Sequence, residues 1–341
     1  MKVAGIDIGG ANTDMAIIEI EDGELKEIKV DFRYLPMWIK KDELKDTLRE
    51  LLGNEIDEID GVGVTMTAEL ADAYKDKEEG VEDIIGRVDE IFEVPVAYVS
   101  LSGMIDSEEA LAKPMEVAAA NWIATSQLAA AISSDCIMVD VGSTTTDIIP
   151  IKDGAECAKG RSDLERLSTG ELVYTGVLRS NLATIVDRIP LNGKWYRVSS
   201  ELFAISADIH LVLGNIDYKD YTCNTPDGAG KTIRDSMRRI ARLICADLKL
   251  LNQRDITEIA AYIHHQQTLK IAEAIKEVSE RENLDEIVTT GLGMHILGKK
   301  AAEHLGMKCR SMDIFLSPRE CVVAPAIGTA IMMGDYLTEK I

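Results

Sequence analysis

Proline is sparse in this chain: 8 residues in 341, beside 25 glycines, with 46% apolar and 28% charged residues. That balance excludes a collagenous or intrinsically disordered polypeptide. Aromatic residues are also scarce, at 5%. Basic residues are the minority charge, 37 Lys and Arg against 59 Asp and Glu, for a net charge of −22. A surface of that sign repels nucleic-acid phosphates and anionic lipid, so neither is an expected partner. The six cysteines (Cys136, Cys157, Cys223, Cys245, Cys309, Cys321) contain no Cys-x-x-Cys pair and no Cys/His spacing of the zinc kind. They read as buried, reduced thiols. Long apolar runs are missing too. Val117 to Ile132 is interrupted by Asn121, Thr125, Ser126 and Gln127 and falls short of the roughly 20 residues of a membrane span. The Met1 to Asp7 segment lacks the apolar run of a signal peptide, which gives a cytoplasmic expectation.

What the chain does have is length for two domains, at roughly 150 residues each, and an internal repeat. Asp7-Ile8-Gly9-Gly10-Ala11-Asn12-Thr13-Asp14 returns as Asp140-Val141-Gly142-Ser143-Thr144-Thr145-Thr146-Asp147. Each copy follows a short apolar run and leads into another, the pattern of strand, tight turn, strand. This spacing indicates a duplicated domain, 1–133 and 134–341, with the last helix packing back on the N-terminal half. Acid is concentrated in residues 41–93, a solvated face or a docking surface for a basic partner.

Between the copies the pattern predicts helices over Lys41–Leu52, Glu82–Phe92 and Pro114–Ile132, with strands over Gly61–Thr67 and Val94–Val99. After the second copy it predicts helices over Gly170–Leu182, Glu201–Leu213, Thr232–Leu251, Asp255–Glu282, Met294–His304 and Pro325–Leu337. Strands are expected near Thr184–Ile189, Lys194–Val198 and Glu286–Thr290. Alternation of this kind is α/β.

A glycine turn lets backbone N–H groups approach an anion, and hydroxyls beside it add donors. Gly9, Gly10, Asn12 and Thr13 form one such loop, and Gly142, Ser143, Thr144, Thr145 and Thr146 the other. Two such loops facing each other would clamp phosphate. Asp7 and Asp140, each ending its strand, would then share a divalent cation, with Mg²⁺ the natural candidate.

These hairpins resemble the phosphate-1 and phosphate-2 motifs of the actin-like ATPase superfamily, which includes sugar kinases, heat-shock chaperones and the hydantoinase/oxoprolinase group. The resemblance implies duplicated ribonuclease-H-like domains flanking a central cleft. Ile287 to Gly293, with Gly291 and Gly293, is similar to the superfamily's adenosine loop, but Leu292 interrupts the usual adjacent glycine pair. That departure argues against ATP while leaving phosphate binding intact. A narrower resemblance rests on Val139 to Pro150, Gly160 to Leu167 and Gly170 to Val177, and extends over Ala207-Asp208, Thr225 to Gly228 and Cys245 to Asp247. It is to archaeal methanofuran-biosynthesis condensing enzymes. It implies a transferase that couples the phenol of γ-glutamyltyramine to an aminomethylfuran-methyl diphosphate and releases diphosphate.

Arginines should complete such a site, because guanidinium pairs bidentately with phosphate. Arg161 and Arg179 lie in the specific region, and Arg234, Arg238 and Arg242 line one side of a helix or pair with acids at the surface. Asp14, Asp147, Asp163 and Glu171 are candidate bases for the phenol. His264 and His265 read as packing or surface residues, and Cys245 as a buried thiol on an apolar helix face. Two alternatives stand beside the transferase: an ATP-dependent kinase or oxoprolinase-like hydrolase, and a nucleotide-sensing actin-like binding protein.

Overall fold

The computed structural model describes residues 1–339, whose packing divides into two units. The first holds Met1–Cys136, Ile149–Ser168 and the chain from Met312 onward; the second holds Ile137–Ile148 and Thr169–Ser311. One cut between 133 and 134 therefore does not divide the chain. Residues 149–168 and the closing helix Ala324–Glu339 belong with the first unit.

In the first unit β1 (Lys2–Ile8), β2 (Asn12–Glu21), β3 (Glu24–Tyr34), β4 (Gly61–Met66), β5 (Val96–Ser100) and β6 (Gly103–Asp106) form one sheet. Its order is β3-β2-β1-β4-β5-β6, with β1, β4 and β5 mutually parallel and the outer pairs antiparallel. Side chains alternate across a strand, so Ala4, Ile6 and Ile8 share one face. That face packs under the helices Leu44–Leu52 and Lys77–Asp89, through Leu48, Val81 and Ile84. Fully burying each such side chain is worth roughly 1.5–3 kcal/mol. The other face carries Val3, Ile18 and Ala97 against Ala330 and Met333 of the closing helix. That helix lies so close that a Cβ on Gly5 would sit 2.1 Å from the Ala326 carbonyl oxygen. Only glycine fits there.

The second sheet is built on β7 (Cys136–Val141) and β8 (Thr146–Lys152). β9 (Ala155–Glu156) pairs with the far end of β8, and β10 (Leu172–Val173) with its start. β11 (Arg188–Leu191) and β12 (Lys194–Arg197) make a separate hairpin, and β13 (Glu286–Thr290) and β14 (Lys308–Ser311) complete the order β10-β8-β7-β13-β14. The helix Gln253–Glu282 starts at an Asn252–Asp255 capping box and ends at Asn283 in the left-handed region, φ 55°. Its first half buries Ile256, Ile259 and Ile263 against Ile189, Ile209 and Ile240.

Several expected elements differ. The helix expected over Pro114–Ile132 is two, Pro114–Val117 and Asn121–Ile132. Ala119 takes φ 53° between them and donates its N–H to the Met66 carbonyl, so pairing with the end of β4 breaks the helix. Residues 170–182 form no helix: Gly170 has φ 73°, and the segment from Thr175 to Ser180 is held by tertiary hydrogen bonds described below. The strand expected from Thr184 is preceded by the short helix Leu182–Ile185 and begins at Arg188. The helix expected from Glu201 begins at Ser206. The one expected to reach Leu251 ends at Arg242. Just past that end, Cys245 has φ 55° and is exposed, not buried on an apolar face. Of the other thiols, Cys136, Cys223 and Cys321 are buried, and Cys157 and Cys309 partly so.

Candidate active site

The first hairpin closes through Gly9 N–H to Asn12 C=O, 2.9 Å. Three more of its carbonyls are occupied: Ile8 accepts from Thr67 and Ala68, Gly10 from Met37, and Ala11 from Leu35. In a trans peptide the N–H points opposite the C=O, so tying the Gly10 and Ala11 carbonyls inward turns the N–H groups of Ala11 and Asn12 the other way. Two adjacent N–H groups directed away from the packed side of the turn are the result, the donor arrangement that suits an anion. Strand register adds acid beside it. Asp7 lies directly opposite Asp14 on β2 and opposite Thr65 on β4, so the three share one face of the sheet. Directly opposite residues have Cβ atoms about 4.5–5.5 Å apart, and like charges so placed are destabilising unless a cation joins them. Asp7 is 7% exposed, while the hydroxyls of Thr13 and Thr65 are buried without a hydrogen-bond partner in the protein.

The second hairpin repeats this within its own unit. Gly142 N–H donates to Thr145 C=O at 2.9 Å, and Asp140 and Asp147 stand at the same offsets from that bond as Asp7 and Asp14 do from theirs. Asp140 is opposite Thr290 on β13, as Asp7 is opposite Thr65. The duplication therefore extends to a third strand and a third oxygen-bearing side chain. Gly291 follows Thr290 with φ 81°, and a Cβ there would lie 2.3 Å from the Asp140 carboxylate. Gly293 packs as closely on Val141. The loop that resembles an adenosine motif thus supports the Asp140 carboxylate directly.

The segment after Thr175 lies against the second hairpin. Val177 N–H donates to Gly142 C=O, and Leu178 and Arg179 N–H both donate to Ser143 C=O, at 2.9–3.0 Å. By the same trans-peptide geometry, the N–H groups of Ser143 and Thr144 face away from this segment. The Arg179 guanidinium lies 3.5 Å from the Thr144 hydroxyl. Arg179 is accordingly at the loop.

The donors of both hairpins are oxygens, the ligand type Mg²⁺ prefers. Among the described residues no group of three or more His, Cys, Asp or Glu side chains could hold a metal. A site with one or two carboxylates, completed by water and phosphate oxygens, suits Mg²⁺ and not zinc. Asp7 and Asp140 fit that role.

Other expected residues have other occupations. Arg161 belongs to the first unit, where it donates to Glu156 at 2.8 Å and to the Leu101 carbonyl at 2.8 Å and lies 5.3 Å from the Trp122 ring. Asp163 pairs with Arg166 and, through Lys77, with the buried Glu69, whose carboxyl is pushed up by burial. Glu171 is fully buried and held by Arg281 and Thr169. Arg238 and Arg242 pair with Asp235 and Asp227. The buried arginine of that helix is Arg239, fully enclosed against Asp208, which the sequence pattern passes over. His264 donates its Nε2–H to the Ile296 carbonyl at 2.9 Å and packs on His210. Gln267 and His210, described below, also escape sequence reading.

Residues 60–336 match the hydantoinase/oxoprolinase family. The chain belongs to that family. It is 45% identical over 299 residues, 87% of this chain and 88% of the relative, to a protein of Methanocaldococcus jannaschii. That relative is named (4-{4-[2-(gamma-L-glutamylamino)ethyl]phenoxymethyl}furan-2-yl)methanamine synthase. A protein of Methanococcus vannielii with the same name is 44% identical over 62% of this chain and 96% of its own. Among solved structures, nucleotide-free acetone carboxylase aligns with TM-score 0.61 at 13% identity, over 96% of this chain and 70% of that one. A ROK-family glucokinase from Streptomyces griseus aligns with TM-score 0.50 at 12% identity, over 97% and 99%. The fold of this family member is the actin-like α/β fold. No helix among its described residues is long and apolar enough to cross a membrane.

Proposed function

We propose that this chain is a transferase of methanofuran biosynthesis. It joins the phenol oxygen of γ-glutamyltyramine to the methylene carbon of 5-(aminomethyl)-3-furanmethyl diphosphate. The bond between the phenol oxygen and the methylene carbon forms, the methylene–O(diphosphate) bond breaks, diphosphate leaves with its bridging oxygen, and the phenol proton passes to a carboxylate and then to water. The observation that carries this reading is the 45% identity over 87% of the chain to a relative whose name spells out that aryl ether.

The chemistry suits the residues. An electron-rich furan stabilises positive charge on its methylene, so the departing bond can break early and the main demand is charge stabilisation on diphosphate. In the second unit the N–H groups of Ser143 and Thr144 and the hydroxyls of Ser143, Thr144 and Thr145 would provide fixed dipoles for that charge, with Arg179 adding a guanidinium; the N–H groups of Ala11 and Asn12 are the matching donors of the first unit. Mg²⁺ held at Asp140, or at Asp7 of the first unit, would supply Lewis acidity toward the leaving group. The phenol, with an ordinary pKa of about 10, needs a base. Asp14 and Asp147 are the carboxylates offered, since Glu171 is enclosed by Arg281 and Asp163 is engaged with Arg166 and Lys77.

The test is incubation of the protein with Mg²⁺ and both substrates, following diphosphate release and product mass. Equal amounts of ether and diphosphate support the reading. Absence of the ether, with ATP hydrolysis under matched conditions, overturns it.

A further inference from the structure

Beneath the Asp140 hairpin lies a chain of hydrogen bonds with one possible direction. Gln267, fully buried on the helix Gln253–Glu282, approaches the Gly176 carbonyl at 2.8 Å and the Thr175 hydroxyl at 2.9 Å through Nε2. A carbonyl only accepts, so Nε2 donates and Oε1 is left facing His210 Nε2 at 3.1 Å. His210 must therefore carry its hydrogen on Nε2, and its Nδ1 accepts from the Asn215 amide at 3.1 Å. The imidazole is fully buried and burial pushes it down to about 3, helped by the neighbouring His264. It stays neutral at every working pH.

The far end of the chain is the hairpin itself. Thr146, the first residue of β8, donates its hydroxyl to the Thr175 carbonyl at 2.8 Å. Ser180 Oγ accepts from Gly176 N–H at 2.9 Å and contacts the Thr175 hydroxyl at 3.1 Å. Gly176 is pressed onto the turn, where a Cβ would lie 2.6 Å from both Gly142 O and Thr144 N. Gln267 thus grips the residues from which Val177, Leu178 and Arg179 reach the Gly142 and Ser143 carbonyls.

We infer that Gln267, oriented by His210, is the positioning residue that sets the diphosphate-binding face of the Asp140 hairpin. It touches no substrate. It fixes Thr175 and Gly176, they fix the carbonyls of the turn, and the turn's N–H groups are aimed as a consequence. The inference deepens the proposed function and rests on its assignment of this hairpin to diphosphate.

The experiment uses the full chain and inorganic diphosphate with Mg²⁺, measured by calorimetry, alongside ether-forming kinetics. Gln267→Leu and His210→Leu should each weaken diphosphate binding by about tenfold or more, the equivalent of one well-made buried hydrogen bond. The KM for the furan diphosphate should rise in step, with the KM for γ-glutamyltyramine unchanged. His210→Gln keeps a donor where Nε2 stands and should restore near-native binding, which a cavity or general destabilisation would not do. Should Gln267→Leu fail to fold, the His210→Leu and His210→Gln comparison decides. Unchanged diphosphate binding in folded Leu variants, an equal rise in both KM values, or no diphosphate binding by the native protein overturns the inference. Failure of the native protein to make ether while it binds diphosphate and the variants do not would count against the reaction alone.

Discussion

Thr65 buries a hydroxyl that no protein group satisfies, directly beside Asp7 in the sheet register. A purely structural residue there would be better as valine. Thr65→Val is therefore expected to leave the melting temperature unchanged or raise it, by up to about 1 kcal/mol of stability, while turnover falls about tenfold. Thermal melts paired with diphosphate-release rates check both halves. At Asp140, Asp140→Asn should lower turnover by about a hundredfold at limiting Mg²⁺, with partial recovery as Mg²⁺ is raised; a flat Mg²⁺ response would remove Asp140 from the metal's ligands. These aspartates were legible in the sequence because a motif of eight residues occurs twice. Thr65 and Thr290 were not, since their equivalence appears only when β4 and β13 are laid beside β1 and β7. Gln267 and His210 were hidden for a related reason: the contact between them and those of Gln267 with Thr175 and Gly176 span 57 to 92 residues of sequence.

At the scale of elements, the helix Ile233–Arg242 shows how a spacing rule can select the wrong face. Positions 234, 238 and 242 form a basic stripe, yet Ser236, Arg239, Ile240 and Ala241 are the buried set, and Arg239 is the one arginine of the helix that enters the interior. Asp208 and Asp227 hold its guanidinium firmly charged. Arg239→Met leaves the buried Asp208 without its cation and should cost about 3–5 kcal/mol, read from urea denaturation. The expected helix over 170–182 was lost to the same kind of force, because hydrogen bonds to a distant turn outweigh local propensity. β3 went unread although Ile28, Val30 and Phe32 alternate, since charged residues fill the positions between and most of the strand is exposed or half-exposed. By contrast, β1, β4 and β13 are fully or almost fully buried and centre on β-branched and aliphatic residues, and these were readable.

For the whole molecule, the −22 charge and the duplicated hairpin remain the two facts that organise the rest. An acidic protein that takes diphosphate must neutralise it locally, which is why the oxygen-rich turns, Arg179 and a cation carry the account. Where the units divide was less legible, because the chain crosses between them instead of finishing one before starting the other. Buried neutral His210 also gives a global pH signature. Its folded pKa of about 3 lies below the ordinary 6.5, so the unfolded chain binds the extra proton as pH falls. Stability from this group is complete above pH 6.5 and declines toward pH 3, by up to about 1.4 kcal/mol per unit. His264, lowered by burial as well, adds to the native slope. The difference in unfolding free energy between native protein and His210→Gln should therefore shrink or reverse as pH is lowered from 6.5 toward 5.

The central claim is that the phenol oxygen attacks carbon and diphosphate leaves intact. Heavy-oxygen label placed in the phenol of γ-glutamyltyramine should be recovered entirely in the ether, with unlabelled diphosphate released in equal amount. Label appearing in diphosphate or phosphate, or turnover without a labelled ether, would contradict the account.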